Sequence, residues 1–311
     1  VSQIDTANDT RGKDVYFFPN IKFCSPIPLD VDPTTGHYSH RFVDLSIPTR
    51  GLPLNVGRNY VSEREQVGPN FGWSWDFEEK LELIPGASQA ILKGADGTEA
   101  IFVRRGPDGQ FDPLYRQEQT EVLKQLDDRH YEVTFRNQTR HVFEIPSAEQ
   151  VSKVEAQTAV LQKKIDRNNN ALTYLWSTDG RRLNKIQGPV AAQYLKLNWS
   201  KGDFPRLEQV ADHTGRCVQY QYTKWAHPDS ASGYDWLLSR VIQPGCTTFD
   251  YTYHPVLGDR HYRLLSTYFN GTLQEKLGAC DDMPSVLEQV SHHDTTLAWE
   301  RFSDENGRLH S

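Results

Sequence analysis

Large apolar residues alternate with polar ones along much of this chain, most densely between Leu172 and Val210. Leu172-x-Tyr174-x-Trp176, a polar turn and Arg182-Leu183-Asn184-Lys185-Ile186 are followed by Leu195-x-Leu197-x-Trp199, a second turn and Arg206-Leu207-Glu208-Gln209-Val210. A period of two places one side of each segment on a buried face and predicts half-buried strands. Asp179-Gly180 and Lys201-Gly202-Asp203 supply the turns, since Gly accepts positive φ and Asp bonds its own backbone. Each unit is a predicted β-hairpin of roughly two dozen residues.

The pattern recurs downstream. Val218-x-Tyr220-x-Tyr222 and Phe249-x-Tyr251-x-Tyr253 repeat its first half, and Leu297-x-Trp299 does so less fully. Its second half returns at Leu238-Ser239-Arg240-Val241, Leu265-Ser266-Thr267-Tyr268, Leu287-Glu288-Gln289-Val290 and Leu309-His310-Ser311. Insertions fall between Tyr222 and Trp236 and after Tyr253. Variable turns on a constant strand pair are the mark of a repeat array, in which each unit buries its apolar face against its neighbours.

These units resemble RHS/YD repeats, tyrosine-rich hairpins with a Tyr-x-Tyr-Asp-x-x-Gly-Arg-Leu consensus. Asp179-Gly180-Arg181-Arg182-Leu183 and Asp304-Glu305-Asn306-Gly307-Arg308-Leu309 match its second half. Asp166-Arg167-Asn168-Asn169-Asn170-Ala171-Leu172-Thr173-Tyr174 is similar to the stretch that opens a unit, with Asn169 where Gly is usual. Asn tolerates left-handed geometry, so the exchange is mild.

Residues 24–103 carry a second block. Thr35-Gly36, Asp44-Leu45-Ser46-Ile47-Pro48-Thr49-Arg50-Gly51-Leu52-Pro53-Leu54, Arg58-Asn59-Tyr60-Val61-Ser62 and Phe71-Gly72-Trp73-Ser74-Trp75 occur in the order and spacing of the domain preceding the repeats in RHS proteins. Thr49 and Phe71 depart from that pattern. Pro48, Gly51 and Pro53 forbid a regular central strand where they stand. Trp73, Trp75 and Phe77 alternate and are expected to form a core plug; a ligand-binding aromatic platform is the sharper alternative. Leu81-x-Leu83, Ala90-x-Leu92 and Ala100-x-Phe102 read as meander strands with a turn at Asp96-Gly97. Tyr131-x-Val133-x-Phe135 and His141-Val142-Phe143-x-Ile145 read as a further hairpin, and Glu149–Lys164 as a short helix of loose apolar spacing, with a strand near Val160 as the alternative. The expected division is an N-terminal arm or plug over 1–23, a pre-repeat β domain over 24–146, a connector over 147–164 and YD-repeat hairpins over 165–311. The expected fold is all-β, an antiparallel β-hairpin repeat array forming a curved sheet.

Composition narrows the function. Aromatics make up 11% of 311 residues, which favours strands. A net charge of −7 with no evident basic stripe argues against a nucleic-acid partner. No apolar run approaches the ~20 residues of a transmembrane helix, and no signal-peptide core is readable at the N-terminus. Cys24, Cys217, Cys246 and Cys280 form no CxxC pair and read as free thiols. The sequons at Asn8, Asn137, Asn198 and Asn270 read as turn-forming Asn. His292-His293-Asp294 and the pair His37 and His40 lack a third metal ligand at sensible spacing. Ser46 and Ser74 sit in no nucleophile elbow, phosphate loops are absent, and Glu78, Glu79 and Glu82 read as a solvated face. No catalytic, cofactor-binding or metal residue is assigned, no cofactor is expected, and the chain is not expected to be an enzyme.

The resemblance implies the first wall of a hollow β-shell that encloses a C-terminal toxin in bacterial polymorphic toxins and toxin complexes. Its expected partners are the remainder of that shell, the enclosed toxin and a secretion-system or chaperone protein, and its expected location is secreted or delivered by a bacterial secretion system. The family's autoproteolytic motif does not occur, so no catalytic residue is carried over. An array ending at Ser311 exposes a strand edge, and such edges must be covered; the chain is expected to need the rest of its shell, a partner chain or a dimer mate. The alternative is a cell-surface adhesion or carbohydrate-binding module, with Trp and Tyr stacking on sugars at the insertion between Trp225 and Trp236.

Overall fold

Alternation becomes strand wherever it was read in the described part of the chain. In a computed structural model, the described residues are 39–61, 67–68, 72–73, 75–76, 80–84, 88–94, 98–104, 110–114, 120–147, 149, 156–201, 205–226, 234–255, 262–280, 283–292, 295–298, 302–303 and 309–310. They form an all-β fold with no helix among them. The arm over 1–23, the side chains of Trp73, Trp75 and Phe77, and the Asp96-Gly97 turn lie outside the described residues.

The N-terminal part holds β1 (Ser39–Ile47), β2 (Leu54–Val61), β3 (Val67–Gly68), β4 (Gly72–Trp73) and β5 (Trp75–Asp76). β1, β2 and β5 make a three-stranded sheet, and β3 pairs with β4. A meander follows of β6 (Lys80–Leu83), β7 (Gln89–Lys93), β8 (Glu99–Arg104), β9 (Gln110–Pro113), β10 (Val122–Gln125), β11 (His130–Thr134), β12 (Arg140–Glu144) and β13 (Gln157–Ile165). Each pairs antiparallel with the next. β13 then pairs with β6, from Gln157 opposite Leu83 to Val160 opposite Lys80, and the sheet closes into a barrel.

The same sheet continues as β14 (Ala171–Trp176), β15 (Leu183–Gln187), β16 (Tyr194–Trp199), β17 (Leu207–Asp212), β18 (Cys217–Ala226), β19 (Tyr234–Ile242), β20 (Thr248–Pro255), β21 (Tyr262–Phe269), β22 (Thr272–Cys280), β23 (Met283–His292) and β24 (Thr295–Ala298). β25 (Phe302–Ser303) and β26 (Leu309–His310) form a separate pair.

β13 is the fork between barrel and repeats. One edge runs along β12. The other gives Gln157–Val160 to β6 and Lys163–Ile165 to β14. At the split, Trp176 donates its Nε1–H to the Leu161 carbonyl at 2.7 Å. This strand replaces the helix expected over Glu149–Lys164 and agrees with the alternative of a strand near Val160. Ala159, Val160 and Leu161 are buried in succession, a run that suits a strand packed on both faces better than the spaced stripe of an amphipathic helix. The sheet therefore runs through much of the expected connector.

The repeat is regular in register. β14–β15, β16–β17, β18–β19 and β20–β21 each carry a register shift at the last aromatic of the motif, placing Trp176 opposite Leu183, Trp199 opposite Leu207, Tyr222 opposite Leu238 and Tyr253 opposite Leu264. The equivalent leucine of the fourth unit is thus Leu264, which is buried, and not Leu265. Between units, Trp199 Nε1 donates to the Leu183 carbonyl at 2.9 Å. The Tyr222 and Tyr253 hydroxyls donate to the carbonyls of Leu207 and Leu238, each at 2.6 Å. A bulge disrupts the ladder locally, and here the next unit's aromatic donor reaches the leucine beside each one.

Two turns share one design. Asp166 Oδ1 accepts the backbone N–H groups of Asn168 and Asn170, both at 2.8 Å, and Asn169 takes φ 63° as its Gly-like position requires. Asp212 Oδ1 accepts the N–H groups of Thr214 and Arg216 at 2.8 and 3.0 Å, with Gly215 at φ 93°. Of the sequons, Asn137 and Asn270 sit in turns, but Asn198 lies within β16 and bonds Gln209 across the ladder at 2.8 Å. Turn formation is therefore not its role; Asn8 lies outside the described residues.

Candidate functional site

The hairpin β1–β2 packs against the buried side of the repeats, and its own buried face carries a charge. Leu54, Val56, Arg58 and Tyr60 alternate along β2, all of them buried. On β1 a bulge between Val43 and Leu45 lets Asp44 and Leu45 be buried in succession. Arg58 Nε lies 2.8 Å from Asp44 Oδ2, and neither side chain is exposed. A second donor, Nη2, reaches Asp44 Oδ1 at 2.8 Å, so the pair is bidentate.

Repeat tyrosines complete the cluster. The Tyr220 hydroxyl, from β18, donates to Asp44 Oδ2 at 2.9 Å. Arg58 Nη1 donates to the Tyr251 hydroxyl, from β20. The guanidinium also lies over the Phe42, Phe249 and Tyr251 rings at 4.6, 5.5 and 5.4 Å from their centroids. Burial pushes the Tyr220 hydroxyl well above its ordinary pKa of 10.0, and the Asp44 carboxylate adds to this, so it remains a donor. Burial lowers the Arg58 pKa, but Asp44 and Tyr251 outweigh it and the net shift is upward. A little further along β2, the Tyr60 hydroxyl accepts the Leu264 backbone N–H at 2.9 Å, beside the fourth bulge.

The loop joining β1 to β2 makes the second anchorage. Gly51 adopts φ 92°, and a Cβ there would fall 2.2 Å from Asp166 Oδ2 and 3.0 Å from Asn170 Cβ. The loop of the pre-repeat motif thus rests on the turn that opens the first repeat. Thr49, one of the two departures from the pattern that the motif resembles, donates its hydroxyl to the Leu52 carbonyl at 2.6 Å and shapes the loop.

Chemically this arrangement holds two elements together. Both charges are satisfied by each other and by tyrosines, and their side chains meet no solvent. Ser46 is engaged with Asn55 at 2.6 Å on the exposed side of the hairpin, and Glu82 pairs with Lys93 at 3.0 Å. His40 packs its ring on Phe42 at 4.1 Å. Cys217 and Cys246 are free thiols. His37, Ser74, Glu78, Glu79, His293 and Asp294 lie outside the described residues, as does the side chain of His292. Asp44 and Arg58 were inside the quoted motifs but were not singled out. Their signal was a charged residue at an apolar parity position, Val56-x-Arg58-x-Tyr60.

Against known proteins, residues 30–102 match a family described as Domain of unknown function (DUF6531). That match spans the anchored hairpin and the first meander strands. No curated protein matches the chain. Among solved structures, the chain is similar to the N-terminal domain of the effector protein SpvB from Salmonella typhimurium strain LT2, at 12% identity over 83% of this chain and 100% of that one, with a TM-score of 0.33. It is also similar to a chain in the crystal structure of TcdB2-TccC3-Cdc42, at 12% identity over 88% of this chain and 15% of that one, with a TM-score of 0.36. The corresponding values for TcdB2-TccC3-TEV are 11%, 87%, 16% and 0.36.

Proposed function

We propose that this chain is a non-enzymatic wall segment of an RHS/YD-type β-shell, which encloses or helps deliver a C-terminal toxin of a bacterial effector. The observation that carries this reading is the anchored hairpin. A pre-repeat element is fixed onto the repeat sheet by a saturated buried ion pair and by the Gly51 contact, as a cap that starts a wall would be. The bulge-and-aromatic device supports it further, since it links each unit to the one before and allows units to be added in series. Its partners on this reading are the remaining shell, the enclosed domain and a secretion or chaperone protein.

The test uses the native protein that carries this chain. Limited proteolysis followed by mass spectrometry should leave a C-terminal domain intact while surface loops are cut. Denaturing the shell in urea before protease is added should make that domain as labile as the loops. If no region is protected in the folded protein, the enclosing role is wrong.

One observation favours a binding module as a second reading. A groove of about 490 Å³ is lined by Gln209, Gln219, Gln221, Glu208 and Trp236, a polar and aromatic set suited to sugars. However, the Arg206 guanidinium stands 3.6 Å from the Trp236 ring centroid and Lys224 Nζ stands 5.0 Å away. A stacked sugar would have to displace a cation, so this reading ranks second.

A further inference from the structure

The fork strand and the first two repeat hairpins carry a charge opposite to that of the whole chain. Between Leu161 and Lys201 there are eight Lys and Arg residues and two Asp, within a chain of 34 basic and 41 acidic residues. This corrects the reading that the chain carries no basic stripe. Both aspartates are engaged in turns: Asp166 accepts Asn168 and Asn170, and Asp179 accepts the Arg181 N–H at 3.1 Å.

Three of the lysines share the face opposite the core. Tyr174, Ile186 and Leu195 stand opposite one another on the buried side. The outward row beside them runs Leu175, Lys185, Lys196 on β14, β15 and β16. The next outward row runs Lys163, Thr173, Gln187, Tyr194 from β13 to β16. Lys185 and Lys196 are direct cross-strand neighbours, an arrangement that costs stability when nothing neutralises it. Lys185 reaches Gln187 Oε1 at 3.2 Å and lies 4.4 Å over the Tyr194 ring. The ion pairs of the described residues leave out all three lysines. Leu175, at the end of the lysine row, is 43% exposed.

From this juxtaposition we propose that the outward face of β13–β16 docks an acidic polypeptide, with carboxylates on Lys163, Lys185 and Lys196 and an apolar side chain on Leu175. Neighbouring strands are ~4.8 Å apart and same-face residues of an extended peptide ~6.8 Å apart, a difference of ~2 Å per step that long lysine side chains can take up. Charge complementarity names the chemistry. A nucleic acid fits less well: an exposed leucine has no role against phosphates, and one face of the Tyr194 ring is already covered by Lys185 instead of lying open to a base.

The experiment is fluorescence anisotropy of the whole 311-residue chain with a labelled extended peptide carrying Glu at every second position and one Leu in that same register, so that carboxylates and the apolar side chain share one face. Binding at low salt should weaken several-fold on raising ionic strength to about 0.3 M, as surface charge pairs are screened. The variant Lys163→Glu/Lys185→Glu/Lys196→Glu should lose at least about tenfold in affinity, and Leu175→Ser about threefold, with melting temperatures unchanged because all four residues lie on the solvent side. Lys→Gln replacements at the same three positions, which introduce no repulsion, should give an intermediate loss. Unaltered binding by the triple variant would overturn the proposal. So would tighter binding of a single-stranded DNA oligonucleotide or of phosphatidylserine vesicles, or self-association through this face in sedimentation. None of these outcomes bears on protease protection, so the docking face and the shell reading stand or fall separately.

Discussion

Gly51 meets Asp166 across 115 positions of sequence, close enough that a β-carbon would lie 2.2 Å from a carboxylate oxygen. One residue belongs to the loop of the pre-repeat motif and the other to the turn that opens the first repeat. Their contact means that the two blocks pack together as one unit. Gly51→Ala is expected to cost about 2–3 kcal/mol, because it combines left-handed strain with a clash. Gly215 and Gly245 have similar φ values of 93° and 90° with nothing within 4 Å. Alanine there should cost only the strain, about 1 kcal/mol. Urea unfolding of the three variants separates the two contributions; equal losses would mean that the Gly51 contact does not matter.

The Asp44–Arg58 pair calls for a different comparison. Removing one partner strands a buried charge, so Arg58→Met or Asp44→Leu should each destabilise by about 3–5 kcal/mol. Removing both, as Asp44→Leu/Arg58→Met, should leave a protein more stable than either single variant, since apolar replacements avoid desolvating two ions. A double-mutant cycle by chemical denaturation checks this, and simple addition of the single losses would contradict a coupled pair.

Much of the architecture was legible because period-two alternation survives packing: Leu172 and Tyr174, Leu195 and Leu197, Val218 and Tyr220 are all buried as their parity requires. Over β13 a helix was preferred to a strand near Val160 because the buried run, Ala159 to Leu161, has no period. Its two-sided pairing depends on β6 and β14, which lie roughly 75 residues upstream and ten downstream. The leucine of the fourth unit was placed one residue late because a bulge shifts parity and Leu264-Leu265 offers two candidates. The clamp was hidden for another reason. A charged residue at an apolar position announces an anomaly, but Tyr251, which bonds Arg58, is 193 positions away from it, and Tyr220, which bonds Asp44, is 176 positions away from that residue. The basic face of β13–β16 was within reach of a local charge count; the whole-chain net charge masked it.

The aromatic donors at the bulges make a graded prediction. Trp199→Phe, Tyr222→Phe and Tyr253→Phe each delete one hydrogen bond to a leucine carbonyl while keeping most of the ring. Each should cost about 1–2 kcal/mol, the loss of a bond plus an acceptor left short. Because the three bonds lie in different units, the losses should add to within about 0.5 kcal/mol in the triple variant. Hydrogen exchange should also quicken at the strand ends beside each altered bulge. Variants that match wild type in both measurements would show that ring packing alone joins the units.

Acid should act through Asp212. Burial pushes its carboxyl up, but hydrogen bonds from Thr214 Oγ1, Arg216 Nε and the two backbone N–H groups outweigh that and bring the pKa down to about 2. A carboxylate whose folded pKa is depressed stabilises the fold fully above its unfolded value of about 4, and that contribution is lost as pH falls through about 2. Wild-type stability should therefore decline between pH 4 and pH 2 by more than that of Asp212→Asn. The variant, which cannot accept as a charged group, should be the weaker of the two at pH 7. As the pH approaches 2 the gap between them should narrow, because the wild-type side chain is then becoming neutral as well. Urea titrations at pH 7, 4 and 2.5 measure that gap directly, and a gap independent of pH would show that the turn is held by its backbone and Gly215 alone.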